Sequence, residues 1–201
     1  MQLREWKDRF LAIPWVYDVV RPIVAGGIDY RILADFCAID EADRVFDFGC
    51  GTGQVLPFLR CAHYLGVDLD ASALTKASRH STPQIRFMEG DDWDQAYQRL
   101  CPTVILMIGV VHHLPDPEFM SMVKRFRRGD RPPARLVTID VSFFPGQRLN
   151  NLFSRLDRGR HVRTPAEYEG LFRGSGLIVL KSEILPTRSG YVRYIGYHLH
   201  L

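Results

Sequence analysis

The stretch Val45-Phe46-Asp47-Phe48-Gly49-Cys50-Gly51-Thr52-Gly53 runs from an apolar strand into a Gly-x-Gly-x-Gly turn. Such a turn lets the backbone take positive φ and lets a ligand approach with no Cβ in the way. It differs from the dinucleotide fingerprint G-x-G-x-x-G, because the third glycine comes one residue early. Asp47 also stands just before the loop. A carboxylate there repels a pyrophosphate and suits a ligand carrying an ammonium and a sulfonium. The amides of the loop, and of a helix expected over Gln54 to Arg60, should face that ligand.

Working outward, strands and helices alternate. Arg44–Phe48, Tyr64–Val67, Ile85–Met88, Val104–Ile108 and Leu136–Val141 read as five strands. The run at Val104 is apolar throughout, as expected of a parallel strand covered on both faces. Asp70 is a plausible N-cap for a helix over Ala71–Arg79. Asp116 as N-cap, Pro117 at N1 and Glu118 as a first-turn acid open a helix over Phe119–Arg127. Thr164-Pro165-Ala166-Glu167 has the spacing of a capping box. Leu177–Ile184 and Tyr191–Leu199 flank a Pro/Ser/Gly turn and read as a hairpin. Upstream, Leu3–Leu11 and Trp15–Val24 read as amphipathic or apolar helices and Tyr30–Phe36 as a third. The pattern predicts an α/β, doubly wound, mostly parallel sheet with a C-terminal antiparallel hairpin. Ligands bind such sheets beyond the carboxyl ends of the strands.

The bulk composition agrees with one soluble domain over residues 1–201, with 46% apolar and 24% charged residues. No signal-like start and no bilayer-length apolar run is present, so a cytoplasmic location and no membrane partner are expected. Cys37, Cys50, Cys61 and Cys101 form no CxxC pair, so reduced thiols and no metal site are expected. The small size of Cys50 suits its place among glycines. A net charge of +3 does not point to a polyanion partner.

Each further candidate residue follows a strand. Asp68 ends the second, where a carboxylate can accept from ribose hydroxyls. Glu89-Gly90-Asp91-Asp92-Trp93 ends the third, where an acid and the backbone can read an adenine edge. Met107-Ile108-Gly109 ends the fourth, followed by Val110-Val111-His112-His113-Leu114-Pro115-Asp116. In these motifs the chain resembles the class I S-adenosylmethionine (SAM)-dependent methyltransferases. It is similar in particular to the small-molecule group that includes the quinone-biosynthesis C-methyltransferases, from about Tyr17 to the C-terminus. The resemblance implies a Rossmann-like seven-stranded sheet under an N-terminal helical lid. It implies that Asp47, Gly49, Gly51 and Gly53 hold the methionine part of SAM. Asp68, with Leu69 beside it, would bind the ribose. Asp91, with the backbone near Asp92 and Trp93, would hold adenine, and the carbonyl near Met107 the ammonium. S-adenosylhomocysteine would be the product. Thr103, where the family often has Asp, and Arg128–Pro133, in place of a short proline-glycine turn, depart from the pattern without touching the cofactor positions.

The acceptor side is less determined. Histidine titrates near neutrality, so His112 is a candidate general base, with His113 packing, capping or lining the pocket. Asp140, ending the fifth strand, is either a second catalytic candidate or a loop carboxylate. Arg148, Arg155, Arg158, Arg160 and Arg163 crowd a segment read as a lid over 145–170. Arg160 and Arg163, with Phe143 and Tyr17, are candidates for the pocket; the same arginines also suit a solvated surface paired with Asp157, Glu167 or Glu169. Residues 1–36 supply the N-terminal helices. The reaction class expected is methyl transfer to a carbon, oxygen or nitrogen of a small-molecule acceptor. Rival readings are an RNA methyltransferase using Lys124, Arg125, Arg127, Arg128, Arg131 and Arg135, a SAM-binding regulator without catalysis, and a nicotinamide oxidoreductase. The sequence leaves oligomeric state open.

Overall fold

The computed structural model describes residues 28–128, 133, 135–156 and 159–201. Seven strands form one sheet: β1 (Arg44–Phe48), β2 (His63–Asp68), β3 (Ile85–Glu89), β4 (Val104–Ile108), β5 (Arg135–Val141), β6 (Ile178–Pro186) and β7 (Arg193–His200). Their order across the sheet is β3-β2-β1-β4-β5-β7-β6. β1 to β5 are parallel, and β7 runs antiparallel between β5 and β6. The strand order reverses between β1 and β4, so their carboxyl ends open the crevice where ligands bind such sheets.

Alternate residues of the central strands feed two cores. Phe46, Leu65, Ile105, Met107 and Leu136 face one side. There they meet α3 (Asp94–Leu100), α4 (Asp116–Phe126) and α6 (Pro165–Gly174). Val45, Tyr64, Val104, Leu106, Val137 and Ile139 face the other side and meet α1 (Tyr30–Cys37). This burial on both faces explains the unbroken apolar reading of β4. Two caps appear as expected: Asp70 accepts from the Ser72 and Ala73 amides at the start of α2 (Ala71–Ala77), and Thr164 and Glu167 form the capping box of α6.

Three local expectations are corrected. The helix over Gln54–Arg60 is a single 3-10 turn, Leu56–Phe58. Pro57 has no N–H to donate to a helical ladder, and the chain must return to begin β2 at His63. α4 begins at Asp116, with Pro115 as its N-cap, so Asp116 is a first-turn acid. The third lies in the lid segment, where no helix is expected from the sequence but α5 (Arg148–Leu156) forms. Its polar residues point inward. Asn150 donates to the Ser142 carbonyl at 2.8 Å and accepts from the Arg193 amide at 2.9 Å, while Leu149 and Leu152 are exposed. A helix buried by hydrogen bonds hides from a search for an inward apolar stripe. Tyr17 and the two helices expected upstream of Gly27 lie outside the described residues. Among the described residues no helix is long and apolar enough to cross a membrane.

Candidate active site

Two groups of the expected residues converge at the carboxyl ends of the strands. The first surrounds the glycine loop. Asp47, the fourth residue of β1, is only 2% exposed. Its Oδ2 accepts from the Tyr64 hydroxyl at 2.5 Å, and its Oδ1 is buried with no partner among the described residues. Burial pushes the Asp47 carboxyl up to about 7, against the Tyr64 hydrogen bond and with the help of the nearby Asp68 charge. The neighbouring Cys50 thiol is driven far upward by burial and by the same two carboxylates, so it is no nucleophile at neutral pH. Cys50 packs over Gly66, where a Cβ would stand 2.8 Å from its sulfur, so the position needs a small side chain.

The loop amides are used differently from the expectation. The Gly49 and Cys50 N–H groups donate to the Val67 carbonyl at 2.8 and 3.1 Å. The Gly51 N–H donates to Asp68 Oδ2 at 2.7 Å. These bonds tie the loop to β2. Gly51, at φ +55, has no described residue within 4 Å of where a Cβ would be. Asp68 also accepts from the Asp70 amide at 2.9 Å. A carboxylate offers about four acceptor positions, so two remain for hydroxyls. Leu69 follows, half-buried.

The loop after β3 is held by a residue the sequence reading placed elsewhere. Arg125, on α4, donates to the Asp91 carbonyl at 2.6 Å and to Asp94 Oδ1 at 2.7 Å. Its guanidinium lies 3.7 Å from the centre of the Trp93 ring. Trp93 is fully buried against Phe46 and Tyr97, so its side chain belongs to the core. Asp91 is half-buried and Asp92 exposed. The cluster of basic residues around Arg125 could not reveal this clamp, because its partners lie 31 and 34 positions earlier in the sequence. Arg127 is likewise spent on the Ser175 and Gly176 carbonyls, and Arg135 on Asp43. Three of the six residues of the supposed RNA face therefore bind their own chain.

The second group joins β4 and β5. Met107 is buried in β4. Beyond it, His112 Nδ1 lies 2.6 Å from Asp140 Oδ1, and the His112 amide donates to the same oxygen at 3.1 Å. His112 is 4% exposed and Asp140 1%. The carboxylate cannot donate, so the neutral ring carries its proton on Nδ1 and Nε2 is its basic nitrogen. Asp140 Oδ2 is buried without a partner among the described residues. His113 stacks on His112, ring centres 4.1 Å apart. The lid backbone crosses directly over the pair: a Cβ on Gly159 would lie 2.0 Å from His112 Cδ2, and the His161 amide donates to the His112 carbonyl at 3.0 Å.

Arg163 fastens that crossing. Its guanidinium donates to Asp116 and to the carbonyls of Val111, Leu114 and His161. Its partner is thus Asp116; Glu167 caps α6 and Glu169 pairs with Arg173. Arg160 is exposed, as are Arg148 and Arg155, and Phe143 is half-buried beside the Arg163 carbonyl that its amide meets. Arg158 and Tyr17 lie outside the described residues.

Comparison with known proteins adds to this geometry. Residues 45–132 match a family model described as a methyltransferase domain. No curated protein matches the chain. The fold superposes on a SAM-dependent methyltransferase from Leishmania major with a TM-score of 0.67 at 17% identity, over 97% of this chain and 81% of that one. Magnesium protoporphyrin IX methyltransferase from Synechocystis, solved with bound S-adenosylhomocysteine, gives 0.62 at 16% identity over 98% and 93%. An amino-demethyl-riboflavin dimethyltransferase from Streptomyces davawensis gives 0.62 at 24% identity, over 95% of this chain and 60% of that one. Residues 45–132 are thus similar to a methyltransferase domain, and the chain has the fold of these solved methyltransferases.

Proposed function

We propose that the chain transfers a methyl group from SAM to a hydroxyl, amine or carbon nucleophile of a small molecule. The observation that carries this reading is Asp47: a buried carboxylate with one oxygen that has no partner among the described residues, beside a glycine loop that no described residue covers at Gly51. Buried polar atoms are rarely left unpaired in native proteins, so a ligand group that donates there is called for. An ammonium satisfies it and a pyrophosphate does not, which separates SAM from a nicotinamide dinucleotide. The open acceptor positions of Asp68 suit a ribose. The Asp91–Trp93 backbone, steadied by Arg125, suits an adenine edge.

SAM supplies a methyl group already activated by its sulfonium. The residues of the chain bind, orient and exclude water, and positioning carries much of the rate of such a transfer. His112 Nε2 takes the proton of a hydroxyl or amine acceptor, and Asp140 steadies the imidazolium that results. Residues 145–170 act as the lid over that pair.

The test is calorimetric titration with SAM, S-adenosylhomocysteine and NAD in parallel, followed by a panel of small phenolic, amine and enol acceptors. Binding of both adenosyl ligands without NAD is expected. Folded, ligand-free protein that binds neither refutes the reading.

A further inference from the structure

We infer that Tyr64, through its hydroxyl on Asp47, is a positioning residue for the amino-acid end of the methyl donor. The inference rests on the SAM reading above and assigns part of that selectivity to a residue outside the loop and strand-end motifs.

Tyr64 lies on β2, paired in register with Val45, two residues before Asp47. That register puts its ring on the same face of the sheet as Asp47, under α1. The ring is 1% exposed and packs against Phe87. Its hydroxyl has one described partner, Asp47 Oδ2, at 2.5 Å. An aromatic in a buried strand needs no hydroxyl for packing, and a buried hydroxyl needs a partner. Here it does two things. It turns the carboxylate so that one oxygen is satisfied and the other, Oδ1, is left for a ligand. It also favours the ionised carboxylate, which burial and Asp68 disfavour. The phenol itself stays protonated, held far above its ordinary range by burial and by Asp47, so it remains a donor. The other titratable groups near Asp47 are Cys50 in the loop and Cys37 on α1, both kept neutral by burial.

The test compares adenosyl ligands with and without the amino-acid end, the closest match being the two thioethers S-adenosylhomocysteine and 5′-methylthioadenosine. SAM and S-adenosylhomocysteine carry the ammonium; 5′-methylthioadenosine lacks it. In Tyr64→Phe, which keeps the ring, affinity for the first two should fall about 10- to 100-fold, the loss expected for a hydrogen bond to a charged group. Affinity for 5′-methylthioadenosine should not change. The same substitution in an Asp47→Asn background should cost little more, because the two residues act as a unit. Equal losses for all three ligands, an additive double variant, or unchanged SAM affinity overturns the inference. Wild-type protein that binds no adenosyl ligand overturns the SAM reading as well, so the two failures are distinct. A measurement on the wild type needs no variant to fold. The Tyr64 hydroxyl proton, in its short bond, should resonate downfield and shift with SAM but not with 5′-methylthioadenosine; the same shift with either ligand refutes the proposal.

Discussion

Replacing Asp47 by Asn should stabilise the protein and disable it, and the stabilisation should depend on pH. An unfolded aspartate titrates near 3.8, whereas burial holds the folded Asp47 at about 7. Between those values the folded chain keeps a proton that the unfolded chain has lost. Stability therefore falls as pH rises through that window and is constant above about 7. The gap corresponds to roughly 4 kcal/mol at full ionisation. Asp47→Asn removes this dependence. Its amide still accepts from Tyr64 and pays a fixed cost for any unpaired N–H, about 1–3 kcal/mol, that does not vary with pH. All other titrating groups are common to both proteins and cancel in the difference. Urea unfolding of the two proteins at intervals from about pH 4 to about pH 8 should show the variant gaining about 1.4 kcal/mol per pH unit until about pH 7, then holding level. Ligand binding should run the other way. An ammonium needs the carboxylate, so wild-type SAM affinity should rise about tenfold per unit below about pH 7, while the variant binds weakly at every pH. A stability difference that is flat across the window refutes a buried, proton-holding Asp47.

The remaining predictions concern single contacts. Asp68→Asn should weaken SAM binding about 10- to 100-fold by removing charged acceptors of the ribose and of the Gly51 amide; unchanged affinity by calorimetry refutes the ribose assignment. Gly159→Ala forces a Cβ into the His112 ring, so methyl transfer should fall at least about tenfold while SAM affinity stays near wild type, as measured by turnover and titration in parallel. Asp140→Asn should favour the wrong His112 tautomer and cost about 100-fold or more in kcat with hydroxyl or amine acceptors; a pH–rate profile identical to wild type argues against His112 as base. Arg125→Met should loosen the Asp91–Trp93 loop, reduce affinity for adenosyl ligands including 5′-methylthioadenosine, and change Trp fluorescence; an effect on stability alone refutes a role for the clamp in binding.

The fold was legible because its signals are local. Unbroken apolar runs, a glycine turn and caps such as Asp70 and Thr164 are written in neighbouring residues. The carboxylates at strand ends were legible for the same reason: each follows its own strand. What the sequence hid is pairing across distance. His112 and Asp140 read as two rival bases, and the structure makes them one unit, because adjacent β4 and β5 bring residues 28 positions apart to 2.6 Å. Arg163 read as an acceptor ligand and is a fastener of the lid, since only folding sets it beside Asp116. Tyr64 carried no signal at all, being one aromatic among the apolar residues of a strand. The inverted α5 was hidden by physics of another kind, in which hydrogen bonds rather than apolar contacts face inward.

On the proposed reading, Asp47 Oδ1 and Asp140 Oδ2, which have no partner among the described residues, set the reaction at this edge of the sheet. β1 and β5 flank β4, and the register sets Asp47 level with Leu106 and Leu106 level with Val137. Asp140 therefore stands three residues farther along the strand direction, roughly 10 Å, and on the opposite face. β4 stops at Ile108 between them, and the chain turns away through Gly109 at φ +70. A ligand reaching from one orphan oxygen to the other must pass over that stopping point. At Asp47 the demand is for a cation, because the neighbouring hydroxyl has already used the other oxygen. At Asp140 the carboxylate holds His112 through Nδ1, so the demand there is for an acceptor whose proton Nε2 can take. A methyl donor with an ammonium and an acceptor with a dissociable proton meet both demands together, and the imidazolium left behind finds its counter-charge in Asp140, already in place before the transfer.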